Sequence, residues 1–192
     1  MSPTAPITSE DLLREAMAAS QSGDSETAIG LLEQLHTRGP DARAAYLLGA
    51  EHAQRGAYDA AEAYLREAAR LDPALGTAHL QLGLLLLTQG RVDDAVAAWR
   101  GLDPLPETDP LQRFRVGLQH LARDEFPACL AALGDGMAAN TANPALNGDM
   151  QRIVERVQEL LAAVAPAAAD ATPADHLFLS AYRSDGGGPT RH

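Results

Sequence analysis

Residues 44–73 read AAYLLGAEHAQRGAYDAAEAYLREAARLDP, and residues 78–99 read AHLQLGLLLLTQGRVDDAVAAW. A shift of 34 residues lays Leu48-Gly49 of the first stretch on Leu82-Gly83 of the second, and one more step leads to Val116-Gly117. Seven residues after each glycine stand Gly56, Gly90 and Asp124, and five further on stand Ala61, Ala95 and Cys129. Gly23 and Ala28 lie 33 residues upstream of Gly56 and Ala61, so a first unit keeps only its second half. A fixed period of this length marks stacked copies of one supersecondary unit. Small residues facing each other let two antiparallel helices approach closely, and glycine at the turn between them supplies a permissive backbone. The spacing predicts helix pairs at 9–21 with 25–37, 42–54 with 58–70, 76–88 with 92–102, and 110–122 with 126–139.

These residues resemble the tetratricopeptide repeat, which has small residues at its eighth and twentieth positions, a turn glycine at its fifteenth and a proline near its end. Pro40 and Pro73 fill that last place, and the resemblance runs from about Ser9 to Asn143. It implies an all-α fold, a right-handed superhelical stack of about four helical hairpins at 9–41, 42–75, 76–109 and 110–143 behind a flexible stretch at 1–8. The sequence departs from the pattern at two places. Ala45, His79 and Arg113 stand where the repeat has a large residue, and His52, Leu86 and His120 stand where it has tyrosine. Pro104 and Pro106 should stop the second helix of the third repeat about a turn early, because proline removes a helical donor and clashes with the preceding turn. A flexible joint is expected there.

Beyond the repeats, Met150, Ile153, Val157, Leu160, Leu161 and Val164 keep one apolar face across a stretch whose other face carries Arg152, Glu155, Arg156 and Glu159. A capping helix at 144–165 is expected, since the last repeat otherwise leaves its stacking face wet, with Asn147 or Asp149 setting its start. Residues 166–192 form a Pro/Ala linker and a glycine-rich end, interrupted at 176–183 by an apolar segment with Leu177, Phe178, Leu179 and Tyr182. An apolar cluster outside any repeat calls for a cover, in this chain or another.

Composition narrows the functions. All fifteen basic residues are arginine, which removes a P-loop lysine, a Schiff-base lysine and a lysine general base together. A formal charge of -11 repels phosphate backbones, so no nucleic-acid partner is expected. Cys129 is the only cysteine, which excludes an intramolecular disulfide and fits a reducing, cytoplasmic compartment. No apolar run reaches the ~18 residues of a membrane span, so no membrane insertion is expected.

No catalytic constellation stands out, and neither a metal nor a cofactor is expected. Cys129 falls at the repeat's small-residue position and reads as a packed, inert thiol. The histidines are not paired at helical ligand spacing, and His52 and His120 stand two repeats apart, too far to share an ion. Asp93 and Asp94 read as a helix start, where carboxylates favour exposed amides. Gly134-Asp135-Gly136 lacks the nucleotide fingerprint and reads as a loosened repeat end.

The remaining candidate is the concave surface. In tetratricopeptide folds the first helix of each repeat lines a groove, and carrying its positions over gives Leu13 and Met17; Tyr46, Ala50 and Ala53; Leu80, Leu84 and Leu87; and Phe114, Leu118 and Leu121. The groove so implied is apolar. The family's co-chaperones grip a terminal carboxylate with lysine and asparagine, and this chain has Tyr46, Ala50, Leu80 and Leu84 at the available positions. The resemblance therefore implies a non-catalytic adaptor or dedicated chaperone that takes a peptide or helix of a protein partner, with Arg43, Gln54, Gln81 and Arg115 at the rim. The Ala- and Arg-rich, lysine-free composition points to a GC-rich bacterial genome, and the chain resembles small bacterial tetratricopeptide adaptors that serve secretion or envelope assemblies. The alternative is a structural subunit whose groove is filled by its own or a symmetry mate's C-terminal tail, giving a homo-oligomer.

Overall fold

The computed structural model describes residues 7–164. Among them are nine α-helices, one 3-10 turn and no strand. In chain order they are α1 (Ser9–Gln21), α2 (Ser25–Arg38), α3 (Ala42–Gln54), α4 (Tyr58–Leu71), α5 (Gly76–Thr88), α6 (Val92–Trp99), the 3-10 turn Arg100–Leu102, α7 (Pro110–Leu121), α8 (Phe126–Ala139) and α9 (Pro144–Val164). Two compact units divide between Leu85 and Leu86, inside α5.

Helix starts follow from short polar side chains that accept the exposed amides of the first turn. Thr8 and Asp11 form a reciprocal capping box on α1: the Asp11 amide donates to Thr8 Oγ1 at 3.1 Å, and the Thr8 amide donates to Asp11 Oδ2 at 3.1 Å. Asp24 accepts from the Thr27 amide, Asp41 from the Arg43 and Ala44 amides, and Asp109 from the Leu111 amide. Between paired helices the chain turns through a single left-handed residue: Gly23, Gly56 and Gly90 at φ of 81°, 73° and 77°, and Asp124 at 55°. Aspartate tolerates this region better than most residues with a Cβ.

The first unit builds its core from α1, α2 and α3, where Leu12, Leu32, Leu35, Ala44 and Leu48 are buried together. Ala45 of α3, Ala68 of α4 and Ala78 of α5 form a second cluster, with Tyr46 and Leu75 packed against it. In the second unit Trp99, Leu102, Phe114, Leu118, Cys129 and Leu133 are fully buried. Each large apolar side chain so enclosed contributes roughly 1.5–3 kcal/mol over an exposed one.

Close helix approach is visible at the repeat glycines. A Cβ on Gly49 would stand 2.7 Å from Leu65 Cγ across the α3–α4 pair, and one on Gly117 would stand 2.6 Å from Leu133 Cδ2 across the α7–α8 pair. The small residues twelve positions further on, Ala61 and Cys129, are fully buried.

Three local expectations are corrected. Helix α9 begins at Pro144, three residues before Asn147, because Asn143 accepts the Leu146 amide at 3.2 Å and proline is preorganised for a first helical turn. Gly136 does not loosen α8: the helix continues to Ala139, and a Cβ at Gly136 would meet Phe114 Cε1 at 2.5 Å. The stretch after Leu102 is also tied rather than loose. Gln112 donates to the Leu102 and Leu105 carbonyls at 2.6 and 3.0 Å, and Arg115 donates to Asp103 at 2.5 Å and to the Trp99 carbonyl at 3.5 Å.

Candidate functional site

The eleven candidate groove residues fall into two groups. Leu13, Leu80, Leu87, Phe114, Leu118 and Leu121 are buried, so a partner reaching them must displace what packs over them. Tyr46, Ala50, Ala53 and Leu84 are half-buried, and Met17 is 44% exposed. All five open residues belong to the first unit, on α1, α3 and α5. The ring of Phe114 lies against Gly136 of α8, a backbone position with no Cβ to exclude it. The segment with Leu177, Phe178, Leu179 and Tyr182 lies outside the described residues.

Two of the four rim residues, Arg43 and Arg115, are held in place by charge. Arg43 donates to Glu10 Oε1 at 2.9 Å and to Asp41 Oδ2 at 3.5 Å, across from α1 and within the start of α3. Arg115 is committed to Asp103 and Trp99 as described above.

Nothing in the described residues gathers reactive groups. Burial pushes the Cys129 thiol up to about 12, far from the thiolate that a nucleophile needs. No group of three or more His, Cys, Asp or Glu side chains is placed to hold a metal among the described residues. His52 stacks on Tyr64 with ring centroids 5.4 Å apart and planes 6° from parallel, while His36 meets the same ring edge-on at 6.2 Å. The histidine at the repeat's tyrosine position thus acts as an aromatic plate between α3 and α4. Burial, with Glu33 and Glu67 nearby, raises the Tyr64 phenol above its ordinary value. Among the described residues no helix is long and apolar enough to cross a membrane.

The chain is thus a repeat protein of paired helices, all-α among the described residues, in which five of the candidate groove side chains on first helices keep open surface. Two family models of the tetratricopeptide repeat match residues 13–76 and 52–113, which together span more than half of the 192 residues. The chain belongs to the tetratricopeptide-repeat family. A crystal structure of MamA is similar, with 20% sequence identity and a TM-score of 0.54 over 73% of this chain and 83% of that one. A thermophilic TPR protein in Thermus thermophilus, TTC0263, is 18% identical over 79% of this chain and 99% of that one, with a TM-score of 0.47. At such identities the MamA likeness speaks for fold alone. No curated protein matches the sequence. The family is generally a non-catalytic protein–protein interaction scaffold, and a protein partner follows from membership.

Proposed function

We propose that this chain is a cytoplasmic adaptor or dedicated chaperone whose first unit holds an apolar segment of a protein partner, in an assembly of the bacterial secretion or envelope kind. The observation that supports this reading is the placement of Met17, Tyr46, Ala50, Ala53 and Leu84. They share the first helices α1, α3 and α5 and keep accessible apolar surface that the rest of the unit leaves uncovered. Apolar burial supplies the affinity, and Arg43 and Gln54, both exposed beside this face, orient the segment.

The test uses Tyr46→Glu and Leu84→Glu, each of which puts a charge where an apolar group should be desolvated. Proteins captured from the native host by the parent chain should be lost with both variants while circular dichroism and monomer size stay unchanged. Retention of the same proteins by both folded variants rules the face out. In the alternative reading, residues 176–183 fill the face of the same chain or of a second copy. Light scattering of the full chain against a 1–165 truncation tests the second-copy case, which alone predicts an oligomer of the full chain that dissociates to monomers on truncation.

A further inference from the structure

The third repeat ends differently from its neighbours, and the difference opens a hollow. Helices α2, α4 and α8 each run for 14 residues, whereas α6 has eight, followed by three of 3-10 turn. Pro104 and Pro106 bar continuation of the helix, and the chain crosses to α7 through residues 103–109. A surface depression of about 510 Å³ lies here, with Glu107 from the crossing segment, Gln112, Arg113 and Val116 from α7, and Ala132 and Asp135 from α8 on its walls.

Val116 shows what is missing. Its repeat equivalents Leu48 and Leu82 are 0% and 6% exposed, whereas Val116 is 40% exposed. A position that the repeat elsewhere buries is open here, so the hollow retains an apolar floor of Val116 and Ala132.

Charge then selects the ligand. Arg115, also on the wall, is committed to Asp103 and the Trp99 carbonyl, and Gln112 to two carbonyls of the crossing segment. Arg113 is different: its nearest acidic atom is Asp135 Oδ2 at 4.0 Å, beyond hydrogen-bond reach, and its guanidinium makes no hydrogen bond among the described residues. A guanidinium so placed offers paired donors to a carboxylate. Glu107 and Asp135 set the limit, because a dianion or an acidic run would be repelled by both. A single carboxylate beside an aliphatic group meets all of these conditions.

We propose that this hollow is a second docking point, separate from the first-unit face, that takes a glutamate or aspartate flanked by an aliphatic side chain in a protein partner. Arg113 anchors the carboxylate, displacing Asp135 as its counter-ion, and Val116 with Ala132 seats the aliphatic group. The test titrates the full chain with the capped dipeptide acetyl-Leu-Glu-amide and its acetyl-Leu-Gln-amide analogue, read by amide NMR. The glutamate peptide should shift amides of 107–116 and 132–136 at millimolar concentration and bind about tenfold more tightly than the glutamine peptide. Arg113→Gln should abolish that preference, and Asp135→Asn should strengthen binding by removing the competing carboxylate. Unmoved amides in those segments, equal shifts with both peptides, or weaker binding by Asp135→Asn would overturn the proposal. Tyr46→Glu should leave this titration unchanged, so its outcome is independent of the first-unit reading.

Discussion

Alanine in place of Gly49 would put a methyl carbon 2.7 Å from Leu65 Cγ, 2.9 Å from Leu65 Cδ2 and 3.2 Å from the Leu65 amide nitrogen. The side-chain contacts could be eased by a new Leu65 rotamer, but Leu65 is 1% exposed and has nowhere to swing. The backbone contact is harder still, since relieving it means moving α4 away from α3. Overpacking of this kind costs about 1–3 kcal/mol, and alanine recovers up to about 1 kcal/mol through its better helix propensity. The net loss is therefore on the order of 1–2 kcal/mol. Gly117 faces Leu133 in the same way, at 2.6, 2.8 and 3.2 Å, and its alanine variant should lose a similar amount. Gly30 and Gly134 provide the control within the same molecule: both are helical and neither has a neighbour within 4 Å of a built Cβ. Their alanine variants should gain roughly 0.4–1 kcal/mol. Thermal and urea unfolding followed by circular dichroism read the difference, which should appear as a melting temperature lowered by about 2–4 °C per kcal/mol for Gly49→Ala and raised for Gly30→Ala. The reasoning fails if Gly49→Ala is as stable as the parent or if Gly30→Ala is the more damaging of the two.

Asp124→Gly should stabilise the α7–α8 turn by at most about 1 kcal/mol, because the position is left-handed at φ 55°; a lower unfolding midpoint would contradict the strain argument. Cys129, fully buried and with its thiol pushed up to about 12, should react slowly with a thiol reagent in the native protein and quickly in denaturant, and fast native labelling would place it at the surface. At Asp41, burial works to raise the carboxyl, but the Ala44 and Arg43 amides and the Arg43 guanidinium outweigh it and hold the group below its ordinary 3.8. Its folded-state value is depressed, so its contribution is present above the unfolded value and is lost as pH falls through the folded one. Asp41→Asn, which retains a capping oxygen without the charge, should therefore flatten the loss of stability below about pH 4, and an unchanged acid profile would show that the cap charge contributes nothing.

How much was legible beforehand depended on how local the cause was. The 34-residue spacing set the helix pairs, the turn residues and the places of the small residues, because each of these depends on neighbours within one or two repeats. Gly56 and Gly90 adopt the left-handed turn for a reason written in glycine itself, and Asp124 takes the same turn as one of the side chains that tolerate it best. The Cys129 position and the aromatic role of His52 were readable on the same grounds. Groove membership was not. A helix position says which side a residue faces, but whether that side is open depends on what packs over it, so Phe114 turned out to fill the space beside Gly136 while Tyr46 kept accessible surface. The prolines at 104 and 106 announced a broken helix, yet Gln112 and Arg115, several residues downstream, decided that the crossing segment would be tied down. Sequence period determines contacts that repeat; tertiary packing alone decides those that occur once, because they rest on side chains brought together only when α7 docks.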